Sequence, residues 1–487
     1  SLKSVTYFLD MKFVNVLFVV LLYCTHLSAQ VTLPNNLYFT HIGVEDGLCQ
    51  NTVCCILQDH LGFIWLGTKD GLTRYDGYRF RVFKHDAADP MSIGNNFIRV
   101  LYEDADGLIW IGTNVGVYIY NPETENFRKF DVATERGDVI SREVSSIKCD
   151  SSGDLWIGVN WQGVFRYDRR DESLELYEPV PGDTTSLSSV HVWDLCFDGD
   201  GNLWVGSQNG GLDRYDRETD RFVRHRLKGL SDVSRIVLDK QNQLLLGTMK
   251  DGLFSFNPYM GTCQPLLLDS GHKDLFVRAI FVRNSREVVV GTENGIYIYD
   301  CVTRKTRHVN QELGNPYSLS CKAVYSIYCD KEGALWIGTY FGGVNYLPPS
   351  SSLIFDKFYP IGHSDRLSGK AVREFVRDES GIIWIGTEDQ GLNRFDPVSG
   401  KFTHYNSRNS GLSCDNVHGL CVDGDRLYIG TFFGGFNIMD LKTNEIVALG
   451  SQMLPDDSVF SIFRDHDGRI WVGLTYGLCL FHPEDGS

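Results

Sequence analysis

A four-residue motif recurs ten times along this chain, and it constrains the fold more than any other feature. It first reads Trp65-Leu66-Gly67-Thr68 and returns with Trp110, Trp156, Trp204, Leu245, Val289, Trp336, Trp384, Tyr428 and Trp471 in the leading position. Each leading residue is followed by an aliphatic residue and a glycine. The glycines are spaced by about 45 residues on average, the length of one four-stranded propeller blade. Seven of the nine tryptophans sit at the leading position, so chance composition does not explain the pattern. Around each motif the chain reads as short strands. An apolar run such as Val53–Leu57 precedes Asp59-x-x-Gly62, then the motif, then Gly71-Leu72-x-x-Tyr75-Asp76, then an aromatic-rich segment, Phe80–Phe83. Five-residue strands divided by Gly- and Asp-rich turns are the mark of antiparallel sheet. The Asp recurs at 104, 150, 198, 239, 330, 378, 423 and 465, where its carboxylate can accept a backbone N–H within the turn. The sixth repeat has Arg283 instead.

The series restarts once. Leu37–Ile42 and Gly47-Leu48-Cys49-Gln50-Asn51 precede the first repeat, and Leu353–Phe358 and Arg366–Lys370 precede the eighth. Between the series lies Pro348-Pro349-Ser350-Ser351-Ser352, a linker composition. The expected fold is therefore all-β: a seven-bladed propeller over residues 30–348, a linker at 349–352, and the first three blades of a second propeller over 353–487. The 37–42 strand is expected to complete the seventh blade. A single ten-bladed ring is the alternative, disfavoured by the linker and the restart.

Residues 11–29 read as a secretory signal peptide, with a Met-Lys start, a short apolar run from Val16 to Leu22, and Leu27-Ser28-Ala29 before Gln30. The alternative is a buried strand or helix. Residues 1–10 precede this start and read as an upstream extension. The apolar run is shorter than a membrane span of about 20 residues, so the remaining chain is expected to be exported. In an oxidising compartment the 13 cysteines matter, but Cys54, Cys55, Cys149, Cys196, Cys329 and Cys421 fall on equivalent strands. They read as small buried residues rather than disulfide partners, and without a Cys-x-x-Cys pair a zinc site is not expected. The net charge of −16 argues against nucleic acid as the main partner, because phosphate binding rests on Lys and Arg.

The unit Asp-x-x-Gly-x-[Ile/Leu]-Trp-x-Gly-Thr-x-x-Gly-[Leu/Val]-x-x-[Tyr/Phe]-Asp resembles the two-component-regulator propeller repeat. So does the Gly-Leu-[Ser/Cys]-x-Asn-x-Val restart at Gly47–Val53 and Gly411–Val417. The resemblance covers nearly all of residues 37–482. It implies the periplasmic sensor half of a hybrid two-component protein, in which two propellers precede a membrane span, a histidine kinase, a receiver and a DNA-binding domain. None of those later parts is in this sequence, so the chain is expected to be a piece of a longer receptor, reaching a membrane only through the missing parts. The resemblance further implies an oligosaccharide ligand, a homodimer, and no catalysis or cofactor in this segment.

In a propeller, the loops joining strands two and three share a face with those joining one blade to the next. Functional residues there should differ between repeats. Trp161, Tyr340, Phe341, Phe432 and Phe433 are aromatics at such tips, suited to stack on sugar rings, with packing on a neighbouring blade as the alternative. Asn51, Asn96, Arg142, His191, Lys322, Lys370 and Asn416 lead into first strands and are expected to rim the same face. Arg142, Lys322 and Lys370 are suited to a carboxylate or sulfate; solvated loop charge is the alternative, as is a structural pair for His191 beside Trp193. The turns Asp104–Gly107, Asp198–Gly201 and Asp465–Gly468 resemble calcium loops but lack the distal Glu, so no metal is expected. A propeller lyase or glycosidase and a protein-interaction scaffold remain rival readings.

Overall fold

The computed structural model describes residues 32–34, 36–227, 230–266, 275–349, 358, 366–449 and 454–482. The extension at 1–10, the signal at 11–29, the linker residues 350–352 and all of the 353–358 restart except Phe358 lie outside them. The chain divides into two compact units, residues 1–312 with 317–354, and residues 313–316 with 355–487.

The described part of the first unit consists of four-stranded antiparallel sheets, most of them in simple sequential order. They span residues 53–83, 98–129, 144–177, 192–225, 235–266 and 277–309. One further sheet joins Val324–Cys329, Leu335–Thr339 and Val344–Leu347 to the N-terminal strand Thr40–Ile42. There Thr40 lies opposite Tyr346 and Ile42 opposite Val344. Each sheet's first strand packs on the next sheet's first strand, and Val53–Gln58 lies against both Ile98–Glu103 and Val324–Cys329. In the second unit, four-stranded sheets span 372–405 and 417–448, and a three-stranded one spans 459–481.

The motif earns its place by packing. In the first unit its strand is buried along its whole length, as in Ile64–Thr68 and Ile109–Thr113, because it lies between two neighbouring sheets. Trp65 packs on Ile98, Ile111 and Tyr120 of the following sheet. The indole N–H is not left dry. Trp65 Nε1 donates to Asp59 Oδ2 at 2.8 Å, while Asp59 Oδ1 accepts the Phe63 N–H. The same bond joins Trp110 to Asp104, Trp156 to Asp150, Trp204 to Asp198, Trp336 to Asp330, Trp384 to Asp378 and Trp471 to Asp465. One carboxylate thus closes the turn and satisfies the buried indole. The motif glycine is required by its cross-strand partner and by the next sheet: a Cβ on Gly112 would stand 2.4 Å from Val100 Cγ1 and 2.6 Å from Val144 Cγ1.

A second latch fixes the Leu-Ser pairs that precede several first strands. Ser320, Ser368 and Ser413 donate their backbone N–H to the side-chain oxygens of Asn345, Asn393 and Asn437. Ser188 does so to Asp213, which is fully buried. The 12 described cysteines are free thiols.

Candidate functional site

The inner strands of the first unit converge on one cavity. Cys54, Arg99, Ser145, Trp193, Arg235, Arg278 and Tyr325, one from each sheet, line it together with Glu143 and Val144, and its volume is about 50 Å³. All but Arg235 sit where the pairing register slips after the first residue of the strand, for example between Ile98 and Val100 or between Val277 and Ala279. Such a bulge re-aims a side chain. The strand beginning at Arg235 has no slip.

Three guanidinium groups meet here. Arg99 Nε donates to Asn114 at 2.7 Å, and its Nη2 lies 3.0 Å from Glu143. Arg278 pairs with Glu293 at 2.5 Å and stacks over Phe276 and Tyr325. Arg235 gives its Nε and Nη1 to the carbonyls of Arg278 and Ser234, neutral acceptors. The carboxylate that acts most on its charge is Asp194, whose oxygens already accept from Ser146, Leu195 and Ile236. Burial holds the Arg235 guanidinium below its ordinary range. Burial also pushes the Cys54 thiol up to about 11, against the pull of Arg99, Lys69, Arg278 and Arg235. Two buried polar atoms on this lining, Ser145 Oγ and Trp193 Nε1, have no hydrogen-bond partner.

Aromatic side chains connect this lining to the loop tips. Tyr325 lies 5.2 Å from Tyr340, and Tyr340 lies 4.1 Å from Phe341. Lys69 Nζ stands 4.2 Å over the Tyr340 ring. Two residues before Trp193, His191 meets Trp161 edge-on at 4.1 Å and lies 3.2 Å from Asn160 Oδ1. Trp161 and Phe341 are 66% and 69% exposed, so they contribute little to the core. Trp161 also has φ of 69°, a left-handed conformation that costs a bulky residue roughly 1–2 kcal/mol.

The structure sorts the residues expected from sequence. Trp161 and His191 form one pair, and Tyr340 and Phe341 form another, joined to the cavity lining through Tyr325. Asn51 and Asn96 spend their oxygens on the backbone N–H groups of Val44 and His85, so they latch loops. Arg142 and Lys322 are exposed. In the second unit Phe432 stacks on His418 and lies 4.2 Å from Phe433, which is 70% exposed with φ of 69°. Lys370 is exposed there, and Asn416 Oδ1 is buried without a partner. The cavity arginines and Trp193 were absent from the expected site. Their only sequence signal was their variation at one repeat position, the second residue of the apolar run.

Two other places carry less. A cavity of about 340 Å³ on the outer strands is lined by Arg136, Tyr177, Glu178, Asp183, Asp220 and Arg221 among others. Arg136 lies near Glu178 and Arg221 near Asp183, while Asp220 accepts the Tyr177 hydroxyl. Asp465, His466 and Asp467 bring metal-capable atoms within 4.8 Å of one another. Both carboxylates are engaged by Arg469, and Asp465 also holds Trp471, so this group works as a turn.

Five segments, 47–70, 92–115, 186–209, 318–341 and 453–476, match the two component regulator propeller family. A curated relative, histidine kinase P4 of Formosa agariphila, is 39% identical over 59 residues, 12% of this chain and 4% of that kinase. The extracellular domain of the hybrid two component system BT3049 from B. thetaiotaomicron has a TM-score of 0.65 at 23% identity, over 93% of this chain and 73% of that one. The corresponding domain of BT4673 gives 0.56 at 20%, over 93% and 66%. Virginiamycin B lyase from Staphylococcus aureus gives 0.50 at 12%, over 64% and 99%. These structural likenesses establish an all-β propeller-like fold. Among the described residues, no helix is long and apolar enough to cross a membrane. Five of the ten repeats of this chain are thus similar to two component regulator propeller repeats.

Proposed function

We propose that this chain is the ligand-sensing region of a hybrid two-component sensor, and that its ligand is an oligosaccharide. In this reading the first unit is a closed seven-bladed propeller, the second unit begins another, and residues 11–29 direct export to the periplasm. The observation that carries the sugar reading is Trp161, an exposed indole held in a left-handed backbone conformation beside His191. Strain of that kind persists at sites that use it. A rigid aromatic plane at a loop tip offers its face to the C–H surface of a sugar ring. Tyr340 and Phe341 supply a second plane, and Asn160 supplies a polar edge. In the full receptor, binding shifts a homodimer and passes to a histidine kinase that controls glycan-utilisation genes.

The test is calorimetric titration of the chain with a library of glycan fragments, with product analysis of the same samples. Saturable binding without new products supports the sensor. Cleaved or unsaturated products would replace it with the propeller lyase or glycosidase. Binding of a periplasmic protein in place of any glycan would replace it with the scaffold.

A further inference from the structure

We infer that the cavity at the centre of the first unit is a seat for one oxyanion group, a carboxylate or sulfate carried by the ligand. For the sugar part this rests on the proposed function; the seat itself rests on the geometry. Three guanidinium groups and two orphan donors surround about 50 Å³ of space. Of the cations, Arg99 and Arg278 each have a carboxylate partner, Glu143 and Glu293. Arg235 has no ion pair within 4 Å among the described residues, and its Nη2 makes no hydrogen bond there. Trp193 Nε1 can only donate. A buried donor without an acceptor costs free energy, and an acceptor-rich anion is the group that relieves several at once. A neutral hydroxyl satisfies fewer of them and leaves Arg235 without an ion-pair partner.

Size permits the group: the space exceeds what a single water needs, about 10–15 Å³, so one carboxylate or sulfate fits. The ring of an acidic sugar would stay above, among Tyr325, Tyr340 and Phe341, while its charged substituent enters. Arg142, Lys322 and Lys370, the cations expected from sequence to meet such a group, are not on this lining. The chain's acidity does not oppose this, because Lys69 adds a further positive charge at the same place.

The seat is tested with inorganic selenate, whose selenium is located by anomalous scattering in soaked crystals of the whole chain. The expected result is a peak within hydrogen-bonding distance of Arg235 and Trp193 Nε1. No peak there, or equal occupancy in Arg235→Gln crystals, overturns the seat. Trp193→Phe, which removes only the N–H from an intact aromatic, keeps the test open if Arg235→Gln does not fold; unchanged selenate affinity in that variant also counts against the proposal. The sugar part is tested by titrating digalacturonate, sulfated galactobiose and neutral galactobiose. An acidic disaccharide should bind at least about tenfold more tightly than the neutral one, and Arg235→Gln should remove that preference. A selenate peak with no preference for an acidic disaccharide leaves the seat standing and overturns its link to an acidic sugar. Tight neutral binding without a selenate peak upholds the oligosaccharide reading and overturns the seat.

Discussion

Asp213 offers a sharp test of how the repeats are held together. It is fully buried, and its Oδ2 accepts both the backbone N–H and the hydroxyl of Ser188 at 2.9 and 2.6 Å. Its Oδ1 has no partner. Burial therefore dominates the donated bonds, and the carboxyl is raised from 3.8 to about 6. Three other repeats place an asparagine here, and its amide group also finds an acceptor: Asn345 Nδ2 donates to Ser320 Oγ, Asn393 to the Ser368 carbonyl and Asn437 to the Ile429 carbonyl. Asp213→Asn should keep the latch and remove the buried charge. The folded chain holds this proton more tightly than the unfolded chain does. Its stabilising contribution is thus complete below pH 3.8 and is lost as the pH rises through about 6. The gap corresponds to about 3 kcal/mol at pH 7. Urea denaturation of both proteins from pH 4 to 7.5 measures it. The variant should be more stable at pH 7, by up to about 3 kcal/mol, and the difference should fall steadily between pH 6 and 4. Other carboxylates titrate in both proteins and cancel in the comparison. A difference that does not change with pH, or one that grows as the pH falls, would refute the reasoning.

Three further outcomes are expected. Gly112→Ala should cost about 1–3 kcal/mol in chemical denaturation, because the new methyl overlaps two valines that have no free direction. Gly473→Ala should cost less than about 1 kcal/mol, since its closest neighbour is the rotatable Ser461 hydroxyl; equal costs would sink the packing account of the motif. Trp65→Phe should lose about 1–3 kcal/mol by the same measurement, because Asp59 Oδ2 loses its indole donor in a buried place; a neutral result would show that the bond is dispensable. Trp161→Gly should preserve the melting temperature, since glycine adopts the left-handed conformation without penalty. Its saccharide affinity in calorimetry should fall by about tenfold or more; retained affinity would remove the main support for the sugar reading.

Much of the fold was legible because its physics repeats. The Asp lies six residues before the Trp in every repeat that has the Trp. Where the Trp is replaced, Asp239 and Asp423 persist ahead of Leu245 and Tyr428, and only the Val289 repeat lacks the Asp. Turn chemistry alone therefore keeps the Asp, as Asp239 shows by accepting the Gln241 and Gln243 N–H groups, so the Asp–Trp hydrogen bond left no separate trace in the sequence. The N-terminal strand was legible for the same reason, since Leu37–Ile42 has no place in a repeat of its own and Thr40–Ile42 pairs with the Val344–Leu347 strand. The cavity lining was not legible. In a strand, alternate residues face alternate sides, and a bulge shifts that parity by one. No local pattern shows that Arg99, Trp193 and Arg278 sit on the shifted residue. Asn51 and Asn96 illustrate the converse: a polar residue before a first strand can be spent on holding loops, Asn51 on Val44 and Asn96 on His85 and Asp70, and only coordinates reveal it.

The sheet shared by Thr40–Ile42 and Val324–Leu347 has a kinetic consequence. Its pairing of Thr40 with Tyr346 is among the most distant in sequence along the first unit, whereas the other sheets form from neighbouring hairpins. Contacts that close long loops form late, because the entropy of closure is paid before they reward it. The six local sheets can therefore assemble as an open arc, with the apolar face of the 53–83 sheet at one end uncovered until the last sheet packs on it. A chain rewired to begin at the linker between two local sheets, with residue 347 joined to residue 37, would turn that distant pairing into another hairpin and should close faster without changing what is finally built.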